Sequence, residues 1–247
     1  MSSFAEVEAA LARGDHAAVL ALTDAILGER PGDDAAHELR ARSLLALRRH
    51  DEAEEHAQAA VRLDPEEIRY RELLAEVLSA AGAHRDAAIE YGRLARNDPR
   101  QTAWLIAGAG EHLEAAEAGQ GIDAARAAVR LDPRSGHAQL TLAQALVRVG
   151  DARGAYQAAG AALRLLGSSP EARETLADAQ WLSGERPQAL DAYRALVGSL
   201  TDAPRERVLR KARALYAQGA GWLGRRVAAI PPLFALALRL GWVRIAS

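Results

Sequence analysis

Apolar residues recur along this chain every 34 residues in three separate registers, and in the first two nearly all of them are Ala or Gly. Two helices can pack closely only where the facing side chains are small, so this period predicts a series of similar helix pairs. The first register consists of Val7, Ala41, Ala75, Ala109, Ala143 and Ala177. The second, twelve residues later, consists of Val19, Ala53, Ala87, Gly121, Ala155 and Ala189. The third consists of Ile26, Ala60, Leu94, Ala128, Ala162 and Leu196.

Gly and Pro residues mark the ends of the predicted helices with the same period. The register at the end of each first helix is Gly14, Arg48, Gly82, Ala116, Gly150 and Gly184. Gly tolerates the positive φ angles that a tight turn after a helix requires. The residues that end the second helices are Pro31, Pro65, Pro99 and Pro133. Pro disfavours helical geometry in the residue before it, and the series fades at Gly167 and Thr201 while the apolar registers continue.

Residues 39–65, LRARSLLALRRHDEAEEHAQAAVRLDP, contain the complete pattern, and here the sequence resembles the tetratricopeptide repeat family. That family has a 34-residue helix–turn–helix unit with small residues in these registers. The resemblance covers residues 2–203 and implies six repeats in an all-α fold, a right-handed superhelical solenoid of antiparallel helix pairs. The family's large second-helix aromatic is present only as Tyr91 and Tyr193, and the fourth repeat is rich in Gly. Because each Gly in a helix costs about 0.5–1 kcal/mol relative to Ala, we expect that repeat to be the least stable.

The resemblance also implies a function. In that family the first helices line a concave groove that binds extended or helical segments of other proteins, so we expect a protein-interaction scaffold with a protein or peptide segment as partner. The expected groove residues are Glu38, Arg42, Arg69, Glu72, Glu76, Ile106, His137, Leu140, Gln144, Arg148, Glu174 and Asp178. Acidic clusters at both ends favour a basic or apolar segment, although charged strips are also common on helix faces that contact only solvent.

One subclass of the family clamps the C-terminal carboxylate of chaperones with paired Lys and Asn side chains. Lys211 is the only Lys of this chain and Asn97 its only Asn, so this clamp is not expected. The alternatives to a groove-binding scaffold are a membrane-proximal scaffold anchored by the C-terminal segment, and a regulatory or accessory subunit of an enzyme complex.

The last part of the chain, residues 204–247, departs from the repeat. Residues 204–218 predict one more amphipathic, basic helix. Its apolar side consists of Val208, Leu209, Ala212 and Leu215. The uncharged run 227–238 has twelve residues and is interrupted by Pro231 and Pro232, whereas a membrane-spanning helix needs about 20 residues. A full span is therefore not expected.

Three interpretations of this segment remain open. The segment forms a helical cap that covers the apolar face of the last repeat. Alternatively, it lies on a membrane through residues 222–243, with Trp222 and Trp242 at the interface. In the third interpretation it docks on a partner protein.

Composition and motifs give no sign of catalysis. The chain has no Cys, which excludes thiol chemistry, and its seven His residues form no metal-ligand motif. The segment GQGIDA (119–124) resembles a loosened dinucleotide fingerprint, but it lies in the predicted turn of the fourth repeat without a preceding strand. The formal net charge of −2 gives no reason to expect nucleic acid. We therefore predict a non-enzymatic protein with no cofactor, no metal and no small-molecule substrate.

The N-terminal residues 1–10 contain no basic side chain, so they do not resemble a secretory signal. We expect a cytoplasmic protein, with membrane association through the C-terminal segment as the open alternative.

Overall fold

The computed structural model describes residues 4–219 and 227–239, and within these ranges every regular element is helical. Helices α1 to α14 are, in chain order, Phe4–Ala12, His16–Glu29, Asp34–Ala46, His50–Leu63, Ile68–Ala80, His84–Asn97, Thr102–Glu114, Ala118–Leu131, Gly136–Arg148, Ala152–Leu166, Pro170–Leu182, Arg186–Ser199, Asp202–Gly219 and Pro231–Arg239. A three-residue turn joins the helices of each repeat, and pairs such as α3–α4 and α9–α10 pack along their length. The prediction of an all-α fold made of antiparallel helix pairs is confirmed.

The contacts group the chain into two units, Met1–Ala124 and Ala125–Ser247. In the first unit, α3 contacts α1 and α5 as well as its own partner α4. In the second unit, α11 contacts α9, and α12 contacts both α13 and α14. Within each unit, the first helices of successive repeats therefore lie side by side.

The three apolar registers form the core of the helix pairs. Every member of the first register, from Val7 to Ala177, is fully buried, and the members of the other two registers are buried as well. Gly121 shows why large residues are excluded. A Cβ atom at this position would lie 3.2 Å from the carbonyl oxygen of Ala109 and 3.0 Å from Cδ2 of Leu113. The two helices of this repeat approach so closely that even a methyl group would be in tight contact.

The predicted turn register adopts the left-handed conformation in all six repeats. Its φ angles are 70° at Gly14, 59° at Arg48, 80° at Gly82, 61° at Ala116, 76° at Gly150 and 83° at Gly184. A residue with a Cβ atom in this conformation costs about 1–2 kcal/mol, so the turns without Gly are strained.

The turn of the fourth repeat is shorter than the sequence analysis predicted. The amide of Glu117 donates to the carbonyl oxygen of His112 at 2.7 Å and closes this turn, so that α8 already begins at Ala118. The prediction that residues 119–124 lie in a turn is therefore wrong, because these residues form the first part of a helix.

The C-terminal segment packs against the last repeat. Phe234 of α14 is only 1% exposed, and its ring centroid lies 5.6 Å from that of Tyr216 in α13. Arg194 of α12 donates from Nε to the carbonyl oxygen of Leu238 at 2.7 Å. These contacts join α12, α13 and α14 in one apolar cluster. This packing is what the first interpretation of the segment, a helical cap on the last repeat, requires, and the choice among the three interpretations stays a prediction.

The membrane interpretation concerns residues that are only partly described. Trp222 and Trp242 lie outside the described residues. Among the helices of the described ranges, none combines the length and the apolar character that a bilayer span requires.

Candidate partner-binding site

The faces of α3, α5 and α7 present six of the predicted groove residues in the first unit. Arg42 of α3 donates to Glu38 from both Nε and Nη2 at 2.9 Å. Arg69 of α5 donates from Nη2 to Glu67 at 3.1 Å. Glu38, Arg42 and Arg69 are therefore already paired within this face.

The contacts between α5 and α7 bring together residues that are 32 positions apart. Trp104 donates from Nε1 to Glu72 Oε1 at 2.6 Å. In the same way, Ser79 donates to Glu111 Oε1 at 2.6 Å, while His84 Nδ1 lies 2.8 Å from Glu111 Oε2. These contacts attach α7 to both helices of the preceding pair, α5 and α6.

Tyr91 of α6 lies among the carboxylates of this face. Burial, together with the negative charges of Glu76, Glu111 and Glu72, raises the pKa of Tyr91 to about 12. The phenol is therefore neutral at physiological pH. Within the described part of the chain its hydroxyl has no hydrogen-bond partner, so it remains available to a ligand.

Glu76 differs from the carboxylates around it. Burial by neighbouring groups raises its pKa, Arg42 opposes this shift, and the charge of Glu72 adds to it. The side chain is nevertheless exposed, and no described residue forms a hydrogen bond or ion pair with it. We call Glu72, Glu76, Tyr91, Trp104 and Glu111 the acidic site. It combines an exposed carboxylate that has no hydrogen-bond partner among the described residues with two aromatic side chains.

In the second unit, the predicted groove residues Glu174 and Asp178 already have hydrogen-bond partners within the chain. Arg207 of α13 donates from Nη1 and Nη2 to the two oxygens of Glu174 at 2.7 and 2.6 Å. Lys211 donates to both Glu174 and Asp178. Asp178 also accepts a short hydrogen bond from the hydroxyl of Tyr193. The two carboxylates therefore attach α13 to α11.

The two carboxylates respond differently to burial. Burial opposes the ionisation of Glu174, yet the hydrogen bonds from Arg207 and the charge of Lys211 outweigh it and lower its pKa. For Asp178, burial outweighs the charge of Lys211 and raises the pKa. These surroundings therefore favour the charged form of Glu174 and the neutral form of Asp178.

The predicted groove residues not yet described are Ile106 on α7 and four residues on α9. His137 and Arg148 are exposed, Leu140 is buried, and Gln144 and Ile106 are half-buried. Among the described residues, no cluster of three His, Cys, Asp or Glu side chains is placed to hold a metal ion.

Sequence reasoning did not identify Tyr91, Trp104 and Glu111 as site residues. Tyr91 belongs to a second helix, and the groove was sought only on first helices. Trp104 and Glu111 would have been found by an offset of 32 residues from Glu72 and Ser79. That offset depends on how far neighbouring helices slide along each other, which the 34-residue period does not reveal.

These repeats and their charged first-helix face define a helical-repeat scaffold for protein interactions. The tetratricopeptide repeat family matches residues 10–77 and again residues 140–206, which together make up more than half of the chain. The chain belongs to the tetratricopeptide repeat family.

Several solved structures share the fold at low sequence identity. A tetratricopeptide repeat protein from Parabacteroides merdae is 13% identical, with a TM-score of 0.75 over 94% of this chain and 90% of that chain. The C-terminal part of a TPR repeat-containing protein from Cytophaga hutchinsonii is 13% identical, with a TM-score of 0.69 over 96% and 92%. YrrB, a TPR protein with an unusual peptide-binding site, is 13% identical, with a TM-score of 0.58 over 76% and 97%. No curated protein sequence matches the chain.

Proposed function

We propose that this protein is a scaffold that binds a basic segment of a partner protein at the acidic site of the first unit. The observation that carries the proposal is Glu76, an exposed carboxylate without a partner among the described residues, close to Glu72. A Lys or Arg side chain of the ligand forms a charge-assisted hydrogen bond with this carboxylate. The rings of Tyr91 and Trp104 offer contacts to the aliphatic part of that side chain or to its cationic group.

The second unit is a weaker candidate for the same role. Its carboxylates Glu174 and Asp178 already have Arg207 and Lys211 as partners, so a ligand would have to displace α13. Peptide binding by YrrB supports a peptide as the kind of ligand that an array of this fold takes. No observation on the described residues favours the accessory subunit of an enzyme complex.

The double replacement Glu72→Lys and Glu76→Lys should weaken the binding of a basic peptide at least about tenfold, because two attractions become repulsions. The probes are two fluorescein-labelled nine-residue peptides, one alternating Arg with Ala and one alternating Glu with Ala. Fluorescence anisotropy at low ionic strength should give a micromolar dissociation constant for the Arg peptide only.

The matched control is the double replacement Glu29→Lys and Glu66→Lys. Both side chains are exposed, both belong to the first unit, and the net charge changes by the same amount. This control should change the affinity by less than about twofold. An equal loss of affinity in both double variants would mean that the overall charge causes the effect. This result would contradict binding at the acidic site. Equal affinity for the two peptides would overturn the preference for a basic ligand.

A second candidate function, a scaffold held at a membrane by the C-terminal segment, is favoured by a different surface. Ile230 and Leu236 are 51% and 49% exposed. Arg210 and Arg213 of α13 line a cleft together with Pro231, at the start of α14. Residues 202–247 contain nine basic and two acidic side chains, although the whole chain has a net charge of −2. Basic side chains beside exposed apolar ones are typical of surfaces that lie on anionic membranes.

Flotation with phosphatidylglycerol vesicles tests this second candidate. The full-length protein should float with these vesicles and not with phosphatidylcholine vesicles, because each basic residue near the surface strengthens binding about fivefold. Leu236→Asp should abolish flotation, whereas Ile89→Asp, at a position on α6 that is 44% exposed, should not. Absence of flotation, or equal flotation of both variants, would contradict a role at the membrane.

A further inference from the structure

His37, Arg40 and His56 form a continuous chain of hydrogen bonds that lies outside the acidic site. His37 Nε2 lies 3.0 Å from the carbonyl oxygen of Pro31, in the loop between α2 and α3. His37 Nδ1 lies 2.8 Å from His56 Nδ1, which connects α3 with α4. Arg40 Nε lies 3.0 Å from His56 Nε2. We call this chain the His37–His56 link.

The donors and acceptors of the link can be assigned completely. Arg40 Nε always carries a proton, so His56 Nε2 has to be the acceptor and the single proton of a neutral His56 sits on Nδ1. His56 Nδ1 then donates to His37 Nδ1. His37 in turn keeps its proton on Nε2, which donates to Pro31. Each nitrogen has a suitable partner only while both imidazoles are neutral.

The link ends on the side chain that attaches α2 to the second repeat. Arg40 donates from Nη1 to the carbonyl oxygen of Leu20 at 2.9 Å and to Thr23 Oγ1 at 3.2 Å. The same Nη1 forms an ion pair with Asp24 at 2.7 Å. The Arg40 side chain is only 15% exposed, so its orientation depends on these partners and on His56.

We propose that the His37–His56 link is a pH-dependent attachment of the first helix pair, α1–α2, to the second pair, α3–α4. A proton added to His56 would sit on Nε2 and face the N–H of Arg40. A proton added to His37 would sit on Nδ1 and face the N–H of His56. Either protonation therefore breaks the link, and the attachment of Arg40 to α2 weakens as a result.

The surroundings of the two rings disfavour the addition of a proton to His56. Burial lowers the pKa of His56, followed by the charges of Arg40 and His37, while Glu55 and Glu52 act in the opposite sense. Arg62 and Glu55 line the same cleft as the two rings.

The sign of the pH effect follows from this lowered pKa. In the unfolded chain His56 takes up its proton near pH 6.5, whereas in the folded chain burial and the charge of Arg40 lower its pKa. The attachment is therefore complete above about pH 6.5 and weakens as the pH falls below that value.

The protonation pattern is tested first, on the unmodified protein. Long-range ¹H–¹⁵N correlation spectra at pH 7.5 should show the Nδ1–H tautomer for His56 and the Nε2–H tautomer for His37. An Nε2–H tautomer at His56, or a charged ring at this pH, would overturn the proposal. This measurement does not depend on the stability of any variant.

The consequence is tested with His56→Gln, in which the amide oxygen accepts from Arg40, the NH₂ group donates to His37, and nothing titrates near neutral pH. Hydrogen exchange in α2, corrected for intrinsic rates, should accelerate at least about fivefold from pH 7.5 to 5.0 in the unmodified protein. In His56→Gln the change should stay below about threefold.

His137→Gln serves as the control, because His137 is exposed and is not part of the link. This variant should keep the pH dependence of the unmodified protein. The same acceleration in His56→Gln as in the unmodified protein would assign the pH effect to other groups and overturn the proposal.

Discussion

Replacement of Phe234 by Ala should lower the free energy of unfolding by about 3–5 kcal/mol, the range observed when a large aromatic side chain is removed from a core. Phe234 is 1% exposed and packs on the ring of Tyr216, in the cluster that joins α12, α13 and α14. The replacement leaves a cavity, and the free-energy cost of this cavity adds to the cost of the lost apolar burial. Urea unfolding followed by circular dichroism measures the effect.

The matched control for this prediction is Leu236→Ala, two residues further along α14. Leu236 is exposed, so its truncation should change the free energy of unfolding by less than about 0.5 kcal/mol. A small effect in both variants would mean that α14 is not part of the cooperative core, which would contradict a structural cap.

Replacement of Ala87 by Leu should be the next most damaging change, with an expected cost of about 1–3 kcal/mol from overpacking. Ala87 is fully buried in the second register, in the cluster that contains Ala53 and Leu74. Three additional carbon atoms have no space there unless α5 and α6 move apart. The melting temperature should fall accordingly.

The control for overpacking is Ala21→Leu on α2. Ala21 is an exposed helical position, and Leu has nearly the same helix propensity as Ala, so this variant should be almost neutral. An unchanged melting temperature for Ala87→Leu would contradict the assignment of Ala87 to the interface of its helix pair.

The arrangement within each repeat was predictable because it depends on local steric rules. A position where two helix backbones nearly touch accepts only Gly or Ala, as the contact of Gly121 with Ala109 shows. A turn that needs a positive φ angle favours Gly, and even the exceptions Arg48 and Ala116 adopt that conformation. Both rules require a residue of a particular size at a fixed spacing, and this spacing can be recognised in the sequence.

The arrangement of charges could not be predicted in the same way. Spacing places Glu174 and Asp178 on a first helix, but it does not show that Arg207 and Lys211 of α13 pair with them. Likewise, Glu76 is left without a partner while Glu72 accepts a hydrogen bond from Trp104. Side chains on neighbouring helices meet according to the slide and rotation of those helices. These variables leave no periodic trace in the sequence.

The sequence by itself therefore determined the repeat, the helix pairs, the left-handed turns and the basic amphipathic helix after residue 203. Only the tertiary structure decided that this helix and α14 pack against α12, that the acidic site gathers around Tyr91, and that His37 and His56 are hydrogen-bonded to each other. The reason is the range of the interactions. Steric limits within a helix pair act on every repeat and recur in the sequence, whereas polar contacts between pairs depend on single side chains that occur once.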